Sequence, residues 1–586
     1  MTLLRQQRGA AAEPTAEHPV AYFCAEYGIT DTLPIYSGGL GVLAGDIVQE
    51  VGTRHYPLVA IGLFYRKGYF HQDIEFDGQH ESPQPINPQA AQLSLVTDST
   101  AETILLEVPI HERTVYVQAW KYMVGGPTGC PLYLLDTDHW KNSPEDRQIT
   151  DQLYGGGMDR RIQQELVLAL GGLALIRALK IEPSLFHMNE GHAAFLSLGL
   201  AAEYIAEGLS TDEALKQAKQ NLVFTNHTLV PAGNDLFPND TVAFYLGTYA
   251  HTSGIGLERI LALGACEQPG SFAMTQLALR MAKHSNAVSK LHAEKALEIW
   301  PEYHFESVTN GVHLPAWMAA EWQEVLHETR PDWAQDIKDA NLWKAVRKLT
   351  PERIWHIHQI LKVRMLDEVY ARTGVQLDHD VLTVTWARRF ATYKRPDMLF
   401  SDLDRLQELL FNEERPMQVL IAGKSHPADG QGKEIIAKIE RLAEYQTKHR
   451  VVMVEDYSIT LSRLLVSGSD VWLNTPIFGK EASGTSGMKA AANGVLQCTV
   501  PDGWAWEVDW SGLGFSLPSE DTENGLYRML AEQVIPLYYK QDARGIPELW
   551  TQMMRETIAE LAPQFSSERM VLDYHNKLYC PTISGK

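Results

Sequence analysis

Nine consecutive residues, Glu481-Ala-Ser-Gly-Thr-Ser-Gly-Met-Lys489, place a carboxylate, hydroxyl groups, glycines and one lysine next to each other. An apolar run before them predicts a strand, and the alanines after them predict a helix. A glycine-rich loop between a strand and a helix directs backbone N–H groups and the positive end of the helix dipole towards an anion. The segment therefore predicts a site that binds a sugar, a phosphate and an aldehyde cofactor side by side.

Lys489 is the reactive group of this segment. No acidic residue lies three or four positions away on the predicted helix, and small residues surround the lysine. Burial of this kind lowers the pKa of a lysine, and the neutral amine can then form a Schiff base. Most lysines, however, are solvated surface residues. The loop favours a catalytic Lys489, but the local sequence by itself leaves both interpretations open.

Arg388-Arg-Phe-Ala-Thr-Tyr-Lys-Arg395 contains four cations in eight residues of an acidic protein. Such a run is usually a solvated face. It follows directly after a predicted strand, however, and the carboxyl end of a parallel strand is a common place for a ligand. Guanidinium groups bind phosphate oxygens in pairs, and a lysine adds a point charge. A solvated face and an anion site remain the two alternatives.

A second glycine-rich turn, Tyr36-Ser-Gly-Gly-Leu-Gly-Val-Leu-Ala-Gly-Asp46, precedes a helical pattern near the start of the chain. Gly38, Gly39 and Gly41 permit a close approach of the backbone to an anion. The spacing is not that of the GxGxxG dinucleotide motif, and a plain tight turn is the alternative.

Two further segments carry histidine. His187-Met-Asn-Glu-Gly-His192 suggests a metal site, but its spacing does not place both histidines on one helical face, so metal binding is not favoured. Thr225-Asn-His-Thr-Leu-Val-Pro-Ala-Gly233 follows a predicted strand with polar residues and a turn. It predicts a loop that contacts sugar, although a lone His227 is more often structural.

Two α/β halves are needed to position these motifs. Strands alternate with helices such as Arg160–Lys180 between residues 19 and 345, and near-continuous apolar strands between 346 and 555 predict a buried parallel sheet. Residues 1–18 predict a disordered leader, and residues 556–586 a C-terminal helix and tail that pack back on the first half. The predicted fold class is α/β, with two doubly wound, Rossmann-like lobes and ligands at the carboxyl ends of the strands. The predicted strands are 20–24, 104–108, 116–119, 221–225, 381–387, 418–422, 450–454, 471–473 and 494–498.

Size and charge narrow the possible functions. The 586 residues are too many for one core and indicate two large domains. The formal net charge of −22 argues against binding to nucleic acid or to an anionic membrane. The most apolar helical stretch, Leu166–Ile176, is too short to span a bilayer. Five scattered cysteines without CxxC spacing indicate reduced thiols of a cytoplasmic protein.

Together these segments resemble the α-glucan phosphorylase family, the pyridoxal-phosphate-dependent enzymes that act on glycogen, starch and maltodextrins. The resemblance runs from about Ala21 to Val500 and follows the family's order. Arg388 and the Thr-Ser-Gly-Met before Lys489 are typical of the shorter bacterial and archaeal branch. The most specific segments are 481–489, 388–395, 33–46 and 225–233, with supporting matches at 189–192, 309–314 and 422–427.

The resemblance implies a two-lobed glycosyltransferase fold of the GT-B type with the active site in the interdomain cleft. It also implies that Lys489 carries pyridoxal 5′-phosphate as a Schiff base, and that the cofactor phosphate, not its ring, relays a proton to inorganic phosphate. The implied reaction is reversible phosphorolysis of an α-1,4-glucan at its non-reducing end, which gives α-D-glucose 1-phosphate with retention. The implied catalytic residues are Lys489, Arg389, Lys394 and His227.

The resemblance assigns the other residues by position. The residues implied to bind the cofactor are Lys489, Arg388, Gly484, Thr485, Gly38 and Gly39. Those implied to bind substrate are Glu481, Ser483, His227, Asn226 and Tyr393. No metal is implied, and the implied partners are an α-glucan and inorganic phosphate or glucose 1-phosphate, within a homo-oligomer such as a dimer.

Two alternatives share the two-lobed fold. An NDP-glucose-dependent glucan synthase would not need a lysine at 489 that binds an aldehyde. A catalytically inactive glucan-binding relative is disfavoured because Lys394, Glu481 and Lys489 are all present. No phosphorylation or nucleotide-effector segment is recognisable, so allosteric regulation is not expected. The segment Val508–Ser519 departs from the family pattern, which leaves the outer sugar contacts and the preferred chain length open.

Overall fold

The computed structural model describes residues 13–229 and 234–585. Most of the predicted leader, residues 1–12, and residues 230–233 of the predicted sugar-contact loop lie outside this part of the chain. The described helices include none that is long and apolar enough to cross a membrane.

The described residues form twenty strands and twenty-two α-helices. The strands are β1 Val20–Phe23, β2 Leu58–Leu63, β3 His71–Glu75, β4 Gly78–Ser82, β5 Ser94–Leu95, β6 Leu106–Ile110, β7 Arg113–Val124, β8 Cys130–Asp136, β9 Leu185–Asn189, β10 Leu222–Thr225, β11 Leu236–Pro238, β12 Ser271–Ala273, β13 His284–Ala287, β14 Phe305–Ser307, β15 Leu382–Ala387, β16 Met417–Ala422, β17 Val451–Val454, β18 Val471–Asn474, β19 Leu496–Thr499 and β20 Gly514–Ser516.

The helices are α1 Gly39–Thr53, α2 Gly157–Leu166, α3 Gly172–Ala178, α4 Leu196–Ala206, α5 Thr211–Lys219, α6 Asn239–Thr252, α7 Leu257–Gly264, α8 Met274–Met281, α9 Lys290–Ile299, α10 Leu314–Trp317, α11 Ala320–Thr329, α12 Ala340–Arg347, α13 Pro351–Thr373, α14 Leu403–Leu410, α15 Gly430–Gln446, α16 Ile459–Gly468, α17 Ser486–Ala491, α18 Thr522–Met529, α19 Ile535–Tyr538, α20 Glu548–Gln564, α21 Ser567–Tyr574 and α22 Cys580–Ser584. A buried π-helical turn, Val167–Gly171, joins α2 to α3, so the predicted helix over 160–180 is continuous.

The first sheet has ten strands in the order β14-β13-β10-β9-β1-β2-β8-β7-β5, with β6 paired to β7. The seven strands from β14 to β8 are parallel, whereas β5, β6 and β7 are antiparallel. β1 and β9 are neighbours, and the strand order reverses between them. The loop after β1 carries the turn at 36–46, and the loop after β9 carries Glu190. Because the strand order reverses between β1 and β9, these two loops run in opposite directions from one point at the carboxyl edge of the sheet.

The second sheet has six strands in the order β17-β16-β15-β18-β19-β20, all of them parallel. The five strands predicted in this half are confirmed, with ends shifted by at most two residues. Their residues are almost all buried, as expected for strands covered by helices on both faces. The strand order reverses between β15 and β18, so the segments that follow these strands lie side by side.

The buried apolar side chains form two clusters. One contains residues from Val20 to Val308 together with Met570, Val571, Tyr574, Leu578 and Tyr579. The other extends from Val312 to Phe565 and includes Val42 of α1. The change of cluster lies at 308–312, upstream of the predicted lobe boundary at 345, because helices α10 to α12 pack with the second cluster. The alternation of predicted strands and helices along the sequence does not show against which hydrophobic cluster a surface helix packs.

The C-terminal helices return to the first sheet. Tyr574 and Tyr579 are buried against His187 of β9, and the Tyr579 hydroxyl lies 2.8 Å from His187 Nδ1. His187 Nε2 is paired with the Thr225 hydroxyl at 2.7 Å. His187 belongs to the histidine motif 187–192, for which a metal site was not favoured. Its ring is buried and forms hydrogen bonds to a neighbouring strand and to the C-terminal segment.

Candidate active site

The strand order of the second sheet brings two predicted motifs together. Arg388 follows β15, and the segment that contains Glu481 follows β18. Arg388 Nη2 donates to Glu481 Oε2 at 2.7 Å. Lys394 Nζ donates to both oxygens of the same carboxylate, at 2.7 and 3.0 Å. Arg388 and Lys394 are thus buried in a cluster with Glu481, and the solvated-face interpretation does not apply to them.

Glu481 is fully charged in this cluster. Burial alone would raise the pKa of its carboxyl group, but Arg388 and Lys394 lower that pKa to about 2. The cluster carries two cations and one anion, so a net positive charge remains available to a further anion. Arg389 lies exposed beside it, with Tyr393 and Tyr154 close to its guanidinium. The half-buried Tyr393 ring lies 4.8 Å below Lys394 Nζ.

The glycines of the 481–489 segment allow its backbone to approach Arg388. Gly484 has φ +76°, and a Cβ on it would lie 3.3 Å from Arg388 Nη2. Thr485 is the residue before α17, and its side chain makes no cap hydrogen bond. Ser483 is buried, and its carbonyl accepts the Trp504 N–H at 3.1 Å. The predicted order of strand, glycine-rich loop and helix is confirmed.

Lys489 is buried in α17, and its side chain lies against Trp317 of the second cluster. Its Nζ lies 3.8 Å from the centre of the Trp317 ring. Trp317 Nε1 donates to Asp46 Oδ1 of α1 at 2.7 Å, and Asn493 Nδ2 donates to the Trp317 carbonyl at 2.9 Å. An aromatic face attracts the ammonium form, which keeps the amine in a fixed place.

Burial lowers the pKa of Lys489 to about 8, against an opposing contribution from Asp46 and with a smaller lowering from Arg463. About a tenth of the amine is therefore neutral at pH 7, compared with less than one part in a thousand for an exposed lysine. A neutral amine is the nucleophile that an aldehyde requires. The burial predicted from the small neighbours of Lys489 is confirmed, and the solvated-surface alternative is wrong.

The glycine turn of the first sheet leads into α1. A Cβ on Gly38 or Gly39 would meet open space, whereas one on Gly41 would lie 2.6 Å from Tyr36 and one on Gly45 only 2.0 Å from the Gly28 carbonyl. Gly41 and Gly45 are therefore required by packing. Gly38 and Gly39 instead face open space at the start of a fifteen-residue helix that has no side-chain cap hydrogen bond.

Hydrogen bonds connect the loop after β10 with the Glu481 segment. Asn226 Oδ1 is 3.1 Å from His292 Nε2, and the Ser289 hydroxyl accepts the His292 N–H at 3.0 Å. The same hydroxyl donates to the Ala482 carbonyl at 2.6 Å. Asn226 and Glu481 are consequently held near the same boundary between the two clusters.

His227 is fixed by two neighbours at the carboxyl end of β9. Its N–H donates to Glu190 Oε2 at 2.8 Å, and its Nε2 lies 2.7 Å from Asn189 Oδ1. Burial lowers the pKa of His227 to about 3, so the ring is neutral at physiological pH. Glu190 has φ +74°, an uncommon conformation for a residue with a side chain, and such strain is concentrated at functional sites.

Several buried polar atoms here have no hydrogen-bond partner among the described residues. They include Arg388 Nη1, Ser483 Oγ, Asn474 Oδ1 and Asn226 Nδ2. Arg388, Asn474 and Ser483 line one pocket together with Glu481 and Gly484. Because buried polar groups in proteins are nearly always paired, these atoms mark positions where a ligand would complete the hydrogen bonding.

The structure thus brings Arg388, Lys394, Glu481, Ser483 and Gly484 into one site. Sequence analysis did not single out three residues of its surroundings: Trp317, Asp46 and Glu190. Asp46 is the last residue of the glycine-rich turn 36–46, and Glu190 lies within the histidine motif 187–192. Both residues thus belonged to predicted motifs, but no role was assigned to them. Nothing in the sequence near Trp317 indicates that its ring lies against a lysine far along the chain.

Comparisons with known proteins identify relatives of this chain. The family model described as carbohydrate phosphorylase matches residues 256–511. A glycogen phosphorylase of Mycobacterium tuberculosis is 39% identical, over 99% of this chain and 73% of the relative. A maltodextrin phosphorylase of Thermococcus litoralis is 39% identical, over 98% of this chain and 72% of the relative. A glycogen phosphorylase of Aquifex aeolicus is 35% identical, over 98% of this chain and 87% of the relative.

Proposed function

This chain belongs to the carbohydrate phosphorylase family, and we propose that it is an α-1,4-glucan phosphorylase. In the proposed reaction, inorganic phosphate cleaves the glucose unit at the non-reducing end of an α-glucan. The products are α-D-glucose 1-phosphate, with retained configuration, and a glucan shorter by one unit. The observation that carries the proposal is that Arg388 and Lys394 bind Glu481 at the start of a glycine-rich loop, which leads into the helix that carries the buried amine of Lys489.

The residues of the site fit pyridoxal 5′-phosphate. Lys489 supplies a buried amine with a pKa of about 8. Arg388 Nη1 lacks a partner among the described residues, and Gly484 permits a ligand to approach the backbone next to it. When bound, this cofactor supplies an aldehyde that an amine can hold and a phosphate group that can relay a proton. We assign its binding to Lys489, Arg388, Gly484, Thr485 and the N–H groups of Gly38 and Gly39.

Arg389 and Lys394 are the residues that we assign to inorganic phosphate. Two phosphates in one site repel each other, and fixed cations in a partly desolvated pocket offset that repulsion. Arg389 lies beside the cluster with its guanidinium hydrogen-bonded to Tyr393, whereas Lys394 is held by Glu481. Each cation is therefore held by a neighbour before phosphate arrives, Lys394 by a carboxylate and Arg389 by a phenol.

We assign the sugar to polar residues of which one, Glu481, carries a negative charge and the others are neutral. Glu481 and Ser483 lie on the second-sheet side, while Asn226 and His227 lie on the first-sheet side, and Tyr393 borders the cations. The neutral His227 can exchange hydrogen bonds with a hydroxyl without bringing a second positive charge to the reaction centre. A sugar bridging the two sides would fit a GT-B arrangement of two lobes, which we propose for this chain.

The five cysteines all lie within the described residues and are unpaired thiols, which supports a reducing, cytoplasmic location. The homo-oligomer expected from the resemblance stays a prediction.

Phosphorolysis tests the proposed function. Purified protein supplied with pyridoxal 5′-phosphate, maltodextrin and inorganic phosphate should release glucose 1-phosphate. Lys489→Ala should abolish that release, and Lys480→Ala, an exposed lysine of the same loop, should leave it intact. Absence of release by the wild-type protein, or transfer from a nucleotide sugar in its place, would overturn the proposal. Retained release by Lys489→Ala would overturn the role of the lysine.

A further inference from the structure

A groove of about 530 Å³ lies beside the edge strand β20, outside the site described above. Its volume falls within the range of about 300–1,000 Å³ that is usual for ligand sites. The groove is lined mainly by residues 506–516, which include most of the segment that departs from the family pattern. The lining residues are Pro501, Trp506, Val508, Asp509, Trp510, Ser511, Gly514, Phe515, Ser516, Met529 and Gln533.

One exposed aromatic side chain, Trp506, lines this groove, and a second, Phe478, lies against it. Trp506 is 46% exposed, and Phe478 is 40% exposed. Their rings are in contact, with centroids 6.5 Å apart and planes at 71°. Contiguous exposed apolar surface, unlike singly scattered apolar residues, is a mark of ligand-binding grooves. A pyranose ring presents C–H groups on its faces, and an aromatic ring can cover such a face while the hydroxyl groups remain hydrated.

The charges of the groove favour a neutral ligand. The eleven lining residues include one carboxylate, that of Asp509, and no lysine or arginine. Ser511, Ser516 and Gln533 add exposed hydroxyl and amide groups that can hydrogen-bond to sugar hydroxyls. A phosphorylated sugar or a nucleotide would need cations, which these lining residues do not provide. A neutral polyhydroxylated chain matches the aromatic faces and the uncharged polar groups.

The groove is joined to the active site through Asp502. The carboxylate of this residue accepts the N–H groups of Lys480 and Glu481 at 3.2 and 3.0 Å. It also accepts the Gly503 N–H at 2.8 Å, at the start of the turn that carries Trp506. Phe478 precedes Glu481 by only three residues. The aromatic pair and the proposed sugar-binding carboxylate therefore belong to one rigid unit.

We propose that Trp506, Phe478 and the adjoining groove bind a distal segment of a neutral α-glucan chain whose end occupies the active site. The proposal rests on the proposed phosphorylase function and adds to it a preference for long glucans. The proposal implies that a short maltodextrin in the active site ends before the groove and gains nothing from it.

Chain-length dependence tests the groove. Trp506→Ala should raise the KM for glycogen about five- to tenfold and leave kcat and the KM for maltotetraose unchanged, because one ring face is lost outside the reaction centre. Phe478→Ala should show the same pattern, and Trp506→Phe should retain most of the affinity. The matched control is Trp140→Ala, since Trp140 is 78% exposed but lies outside the groove. An unchanged ratio of the two KM values in both Trp506→Ala and Phe478→Ala would overturn the proposal.

A binding measurement separates the groove from the reaction. In a native gel that contains glycogen and no phosphate, the wild-type protein should be retarded, and Trp506→Ala should migrate faster than Trp140→Ala. This outcome is expected even if no phosphorolysis is found, a result that would reject the proposed function alone. Equal retardation of the two variants would reject the groove alone.

Discussion

The carboxyl ends of the two sheets carry different kinds of polar groups. At the second sheet, Arg388, Lys394 and Glu481 form a charged cluster, and the buried Lys489 lies on the same side. At the first sheet, burial lowers the pKa values of His187, His227 and His292 to about 3, so all three rings are neutral. Two fixed cations therefore lie beside the Glu481 loop, whereas the three histidines at the first sheet are neutral.

This difference follows the chemistry of the proposed ligands. A phosphate needs fixed cations, since its charge is costly to desolvate. A sugar needs donors and acceptors without net charge, and a fixed cation beside it would oppose the positive charge that develops on the sugar ring. The comparison predicts that substitutions on the second-sheet side change the response to phosphate and that those on the first-sheet side change the response to glucan.

Lys394→Met should have the largest effect. It removes a cation that Glu481 holds in place, and one fixed electrostatic contact is worth about 10²–10³ in rate. We expect kcat/KM for phosphate to fall about 10³-fold, measured by initial rates over a range of phosphate concentrations. Lys216→Met, at an exposed lysine of α5, is the control. A fall below tenfold would contradict the assignment of Lys394 to the anion side.

His227→Ala should have a smaller effect of a different kind. The variant loses the ring that Asn189 orients, so a sugar hydroxyl loses its partner. We expect kcat/KM for maltodextrin to fall about 10²-fold, with the KM for phosphate changed less than twofold. His251→Ala, at an exposed histidine of α6, is the control. An equal effect on the response to phosphate would erase the distinction between the two sides.

Two carboxyl groups should affect stability in opposite directions. Burial raises the pKa of Glu190 to about 8, although the N–H groups of His227 and Gly191 act against it and Arg161 and Asp235 lie nearby. The pKa of Glu481 is instead about 2. A raised folded-state pKa gives stability that is present below the unfolded-state value near 4.3 and is lost as pH rises towards 8. A lowered folded-state pKa gives stability that is present above the unfolded-state pKa and is lost as pH falls towards 2.

Glu190→Gln should therefore gain stability over the wild type as pH rises. From pH 5 to pH 7 we expect its advantage in unfolding free energy to grow by about 2 kcal/mol, measured by urea denaturation. Glu481→Gln should show the opposite pattern, with its disadvantage shrinking as pH falls from 5 towards 3. If both variants follow the wild-type pH profile in parallel, the contrast between the two carboxyl groups is wrong.

Much of the second sheet could be predicted from the sequence because its strands are buried on both faces and appear as continuous apolar runs. The strand–loop–helix order around Glu481 and the burial of Lys489 were also predictable, because they depend on neighbours within one segment. The antiparallel strands of the first sheet alternate in burial and gave a weaker signal, so only parts of β6 and β7 were predicted.

Contacts between distant segments could not be predicted. Trp317 and Asp46 lie near Lys489 only because the two clusters pack together there. No spacing pattern in the sequence predicts this contact. The ion cluster was also unexpected, since Glu481 was assigned to sugar and Arg388 to phosphate without a contact between them. The positive φ of Glu190 is a backbone property that the sequence motif does not show.

Borohydride reduction of the holoprotein tests the central claim most directly. Reduction fixes a Schiff base as a stable secondary amine, and peptide mass spectrometry then locates the modified lysine. The account predicts a pyridoxyl group on Lys489 of the protein supplied with pyridoxal 5′-phosphate, and no such modification at Lys480 or Lys394. A modification confined to another lysine, or none at Lys489 after the cofactor is supplied, would contradict it.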